Sequence, residues 1–152
     1  MNYIGERFGG GVIFYPDSTG KHGIIADTVD LAPAKWSNGS MNVLTGANGV
    51  LIGTGKTNTN KIVLKQGSTG NYAALEFKNS NRSGFTDWYL PSLRELSQLH
   101  IQQAVVGGFT GTYYFSSTEG NKDLCFLLNW PVGWQNLNFK VWVLSVRTVR
   151  NF

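Results

Sequence analysis

Cysteine is nearly missing from this chain: Cys125 stands alone among 152 residues, so no intrachain disulfide can form. Set amid Leu124, Phe126 and Leu127, it reads as a small buried hydrophobe. Charge is scarce too, at 14% of residues, while 41% are hydrophobic, and that balance excludes a coiled coil or a solvated, disordered chain. No apolar run approaches the roughly 20 residues of a membrane helix. Met1 to Gly11 is polar and glycine-rich, without the apolar stretch of a secretory signal, so none is read there. The thirteen Lys and Arg give a net charge of +4 but are scattered. Nucleic-acid binders concentrate such residues into a stripe, so no nucleic-acid partner is expected. What remains is a single loop-rich domain over 1–152, with 19 Gly, 9 Phe, 6 Tyr and 5 Trp.

Along the chain, Val12–Tyr15 and His22–Ala26 read as a hairpin around the turn residues Pro16 to Gly20. From Asp27 to Gly55 neither hydrophobic period is visible, which predicts structured loop. Two helices are expected. One comes from the stretch ending at Lys78, where about Asn58 to Gln66 is ambiguous and Asn71 to Lys78 carries Ala73, Ala74, Leu75 and Phe77. The stronger one opens at Pro91 or Ser92, because Ser92-Leu-Arg-Glu95 matches a capping box. Leu93, Leu96, His100 and Ala104 give it one apolar stripe up to Gly107-Gly108. Strands follow at Thr112–Ser117, Leu124–Trp130 and Trp134–Leu144, with Val146–Arg150 closing the sheet. Helices early and strands late predict an α+β fold with a mainly antiparallel sheet.

Reactive chemistry is poorly supplied. Gly53-Thr-Gly-Lys-Thr57 resembles a phosphate loop, but Val50 stands where its first glycine belongs, so a glycine-rich turn entering a helix is expected. His22 and His100 lack ligand spacing, the carboxylates lack a calcium-loop pattern, and neither metal nor cofactor is expected. Glu95 is explained by capping, and no nucleophile elbow surrounds Ser116, Ser117 or Thr118. A hydrolase using Ser116 or His22 is the weaker alternative.

The stretch from Glu119 to Val146 carries the information. It holds Trp130, Trp134 and Trp142 with Phe126 and Phe139. A strand covered on one face alternates apolar and polar residues. Leu124–Leu128 and Val141–Leu144 are apolar on both faces. Each run is therefore either buried on both sides or part of an exposed aromatic patch of the kind that marks binding sites.

Six segments then occur in order: Ile4-Gly-Glu-Arg-Phe-Gly-Gly-Gly-Val-Ile-Phe-Tyr15, Gly20-Lys-His-Gly-Ile24, Ile52-Gly-Thr-Gly-Lys56, Gly84-Phe-Thr-Asp-Trp-Tyr-Leu-Pro-Ser92, Tyr113-Tyr-Phe-Ser-Ser-Thr-Glu119 and Val146-Arg-Thr-Val-Arg150. Together they resemble bacterial C-type lectin-like domains distantly related to the formylglycine-generating enzyme fold. Within that group the chain looks most like the variable proteins of diversity-generating retroelements of phages and gut bacteria. The resemblance implies a C-type lectin-like fold, a twisted, mainly antiparallel sheet with two helices and long structured loops. It also implies a diversified segment at 120–145, with scaffold positions at Phe126, Trp130, Gly133, Gln135 and Lys140. In the proteins the chain resembles, adenine-directed mutagenesis of asparagine-rich template codons randomises that segment; Trp134 and Trp142 cannot arise from asparagine codons by adenine changes alone, so they need another template codon or a fixed identity. The fold's calcium-binding carboxylates and the paired cysteines of the enzymes are missing from this sequence. The expectation is a binding module without catalysis, on a phage particle or bacterial surface, meeting a protein or cell-surface ligand without membrane insertion. Its contact residues would be Asp123, Leu127, Asn129, Trp134, Asn136, Asn138, Phe139, Val141, Trp142 and Val143, with Phe126, Leu128 and Trp130 on the core side. A non-diversified surface adhesin of the same fold is the other reading.

Overall fold

The computed structural model describes residues 1–39 and 43–152. Its architecture is α+β, with two mostly antiparallel sheets and, among the described residues, four α-helices. The smaller sheet has the order β1-β2-β3-β9, from Arg7–Phe8, Gly11–Pro16, Gly23–Ala26 and Val149–Asn151. The larger has the order β4-β8-β5-β6-β7, from Leu31–Lys35, Val143–Val146, Tyr113–Glu119, Leu124–Asn129 and Trp134–Phe139. A single parallel bridge, Tyr114 to Ser145, joins β5 to β8. The expected first hairpin is present as β2 and β3, with Ile13 opposite Ile25.

Alternation along β5 and β6 builds two cores from one sheet. Phe115, Cys125 and Leu127 point into a cluster with Trp36, Ile62, Tyr72 and Phe77. That cluster is closed by α1 (Gly55–Gln66) and α2 (Ala73–Lys78). Tyr114, Leu128 and Trp130 point the other way, against β2, β3 and α3 (Leu93–Ile101) through Phe14, Ile24, Leu96 and Leu99. The sheet is thus sandwiched, and β6 is apolar on both faces because both are covered.

Several sequence expectations are corrected. The stretch from Asp27 to Gly55 is not all loop, since it contains β4, although its positions 40–42 lie outside the described residues. Pro33 disguises β4: with no N–H to donate, it sits where the register against β8 shifts, on a sheet edge. The stretch 55–78 forms two helices, and the polar start of α1 is itself buried. There the Asn58 side chain donates to the Gly49 carbonyl and accepts from the Gly49 N–H, while the Thr59 hydroxyl accepts from the Leu90 N–H. The capping box at Ser92 and Glu95 is present in both directions. The helix it opens nevertheless stops at Gln102, whose N–H is shared between the Gln98 and Leu99 carbonyls, and α4 (Gln103–Val106) follows. The strand expected over Trp134–Leu144 is two strands, because Lys140 turns inward between them. Finally, Val146–Arg150 does not close one sheet: β8 ends in the larger sheet and β9 pairs with β3 in the smaller.

Candidate ligand-binding face

Beyond β6 the sandwich has no cover, and β7 is the uncovered strand. All its side chains are exposed except that of Asn138, which is half-buried, and Trp134 is 71% exposed. Six consecutive pairs with β6, from Leu124–Phe139 to Asn129–Trp134, fix which side chains share a face. Trp134, Asn136 and Asn138 stand on the face of Asn129 and Leu127. Gln135, Leu137 and Phe139 stand on the face of Leu124 and Phe126, both half-buried, so that face carries an apolar strip.

Both ends of β7 are pinned to the interior. At the Trp134 end, His100 of α3 donates from Nε2 to the Trp130 carbonyl at 2.7 Å and its ring meets the Trp130 indole edge-on. Gly133 allows the approach: its φ is +77°, and a Cβ there would lie 2.6 Å from His100 Cε1. His100 is therefore a boundary histidine that holds a turn.

At the Phe139 end the anchor is Lys140, whose Nζ lies 2.6 Å from Glu119 Oε2 with both side chains buried. The same ammonium donates to the carbonyls of Val43 and Lys122 and lies 4.7 Å from the centroid of the Trp36 ring. Burial pushes the Glu119 carboxyl up, but the Lys140 ammonium and the Thr45 N–H and hydroxyl outweigh it and hold the acid below its ordinary range. The backbone of residue 140 is tied as firmly. Its N–H donates to the Asp123 carbonyl, and its carbonyl accepts from the N–H groups of Trp36 and Ser37. With Lys140 inward, its neighbours are thrown outward: Phe139, Trp142 (52% exposed) and Val143 (55%) face solvent, and Val141 is half-buried.

The two ambiguous apolar runs thus resolve in opposite ways. Leu124–Leu128 is largely interior, whereas in the run Val141–Leu144 the first three residues lie at the surface and Leu144 packs, half-buried, against the core beneath α1 and α2. Leu127 is the correction among the expected contact residues: at 1% exposure it belongs to the core beneath α1 and α2 and cannot meet a ligand. The rest form two groups. Asp123, Asn138, Phe139, Val141, Trp142 and Val143 gather around the Lys140 anchor, where Val143 pairs with Lys35. Asn129 and Trp134 lie at the far end of β7, about 17 Å along the strand. Asn136 is between them. Trp130 and Leu128 are buried on the α3 side as expected, and Phe126 is half-buried there. Leu137 was missed, although alternation from Phe139 places it on the same exposed face.

The residues named for the catalytic alternative are not assembled. Ser116 is buried in β5 with its hydroxyl donated to the Phe126 carbonyl, and His22 is exposed just before β3 in the other sheet. Among the described residues, no group of three or more His, Cys, Asp or Glu is placed to hold a metal ion, and no helix is long and apolar enough to cross a membrane. Burial pushes the Cys125 thiol above its ordinary range, so it is a poor nucleophile. Neither a scan against protein-family models nor a search of curated proteins returns a match for this chain.

Proposed function

We propose that the chain is a binding module of C-type lectin-like type, in which a fixed scaffold presents a diversified surface from 120–145 to a protein or cell-surface ligand. The observation that carries this reading is the division of that segment into pinned and free positions. Trp130, Gly133 and Lys140 are tied to α3, Glu119 and Trp36, while Trp134, Asn136 and Phe139 project into water from the strand between those ties, and Trp142 and Val143 from the turn and strand start just beyond Lys140. Aromatic side chains held on a rigid backbone add contact area at low entropic cost, so recognition needs little ordering on binding. The other segments of the resemblance support a scaffold role. Ser116, Ser117, Thr118 and Glu119 are buried; the last three are hydrogen-bonded to the loops around Thr45, Gly49 and Pro91, and the Ser116 hydroxyl donates to the Phe126 carbonyl and accepts from the Thr118 N–H. Arg147 is paired with Asp30 beneath the Phe109 ring, and Arg150 with Asp87 beside Phe85. A phage particle or bacterial surface is the setting this reading implies.

The test is to sequence the gene and its flanks from many sibling isolates. The proposal expects codon changes confined to 120–145 and concentrated at the exposed positions, with a template repeat and a reverse-transcriptase gene nearby. Uniform sequences across isolates would leave a non-diversified adhesin, and changes spread over the scaffold would overturn the reading.

A further inference from the structure

The free edge of β7 complements itself, and we infer that two copies of this chain pair there, antiparallel, about a two-fold axis through Asn136. The inference goes beyond the ligand reading and does not rest on it. In the β6–β7 ladder Lys140 donates to Asp123, so residues 134, 136, 138 and 140 turn their backbone groups toward β6. Gln135, Leu137 and Phe139 turn theirs away. The Phe139 end is already closed: its N–H donates to Asn138 Oδ1 at 2.8 Å and its carbonyl accepts from the Trp142 N–H at 3.1 Å. For the outward N–H and C=O of Gln135 and Leu137 there is no partner among the described residues.

Those four groups define one register. With Asn136 on the axis, Gln135 of each copy faces Leu137 of the other, and four N–H···O=C bonds satisfy every free group on both edges. Centring the axis on Leu137 instead places Gln135 against the closed Phe139 position and loses half of them. The side chains agree with this register. Asn136 meets its own copy, Trp134 meets Asn138, and Gln135 meets Leu137, so no like charges oppose each other. Edge strands usually carry a charge, a proline or a bulge that blocks such pairing. Trp134–Phe139 has none of these and runs in unbroken register for six residues. The closed, isologous pair makes one continuous sheet and joins the two Trp134–Asn136–Asn138 faces into a single surface across the axis.

The test is sedimentation equilibrium of the full chain from low micromolar concentration upward. The contact is small, so the expected dimer is weak, with a dissociation constant of about 0.1 mM or tighter. Leu137→Pro removes only an outward-facing N–H and should yield monomer. Asn136→Lys and Asn136→Asp place like charges on the axis, so each alone should be monomeric, while an equimolar mixture should dimerise again. Circular dichroism melting of each variant identifies any that fails to fold, and the exposed Asn136 pair keeps the test intact if Leu137→Pro does. A wild-type chain that is monomeric at about 1 mM would overturn the pairing and leave the edge to a strand from another protein. A dimer indifferent to all three substitutions would overturn it by placing the contact elsewhere. Either result is independent of whether codons 120–145 vary between isolates.

Discussion

Replacing Lys140 with methionine leaves the fold with a buried carboxylate and no cation beside it. Glu119 would keep the hydrogen bonds from the N–H groups of Thr45 and Gly46 and from the Thr45 hydroxyl, but not the ammonium at 2.6 Å. The carbonyls of Val43 and Lys122 would each lose a donor. Removing one member of a buried ion pair costs about 3–5 kcal/mol, because the remaining charge is uncompensated. Unfolding entropy of about 2.1 cal/mol/K per residue gives about 320 cal/mol/K for this chain. The loss therefore converts to a fall in Tm of about 9–16 °C. The double variant Lys140→Met/Glu119→Gln removes the orphaned charge as well and should recover at least about 1.5 kcal/mol of that loss. The assay is guanidinium unfolding followed by circular dichroism, carried out as a full double-mutant cycle. A Lys140→Met variant within about 1 kcal/mol of wild type would refute the view that this pair pins the turn before Trp142.

The same pair sets a pH dependence. Glu119 titrates lower folded than unfolded, so its contribution is complete above the ordinary carboxylate range and is lost as pH falls through the lower folded value. Asp87, held down chiefly by its hydrogen bond to Arg150, adds in the same direction. Glu95 and Glu76, which burial pushes up, act in the opposite direction but are common to both proteins. Between neutral and acidic pH the wild-type Tm should therefore lose more than that of the Glu119→Gln/Lys140→Met protein, the difference appearing below about pH 4.5, as read by melting curves. Leu127 and Trp142 should behave oppositely on truncation. Leu127→Ala opens a cavity in the core beneath α1 and α2 and should cost about 2–5 kcal/mol, whereas Trp142→Ala should stay within about 0.5 kcal/mol by denaturant titration.

What could be read from the sequence was whatever announces itself locally. The turn residues after Tyr15 marked the β2–β3 hairpin, the Ser92–Glu95 spacing marked the start of α3, and the apolar setting of Cys125 marked it as core. Features set by distant partners stayed hidden. Pro33 argues against a strand until β8 is seen to leave its position at a register shift. Asn58 and Thr59 look like surface residues until the Gly49 and Leu90 backbones are placed beside them. For the candidate face, the aromatic positions were legible but their division was not. Leu127 and Val143 are equally apolar, but Leu127 stands on the face covered by α1 and α2, while Val143, at the start of β8, alternates with Leu144 and Val146, which face that core, and is left in water. Lys140 is the clearest case. A lysine between Phe139 and Val141 reads as solvent-facing by alternation, yet it is buried because Glu119, 21 residues away, supplies its counter-charge.

The most direct measurement is a saturation scan of residues 120–145, scored by protease resistance of every single substitution. If the rings face water to meet a ligand, Trp134, Asn136, Phe139, Trp142 and Val143 will accept most side chains without loss of resistance, whereas Leu127, Trp130, Gly133 and Lys140 will accept few. Intolerance at Trp134 and Trp142 as severe as at Trp130 would mean that the domain needs those rings for its own interior, and the recognition face would not exist.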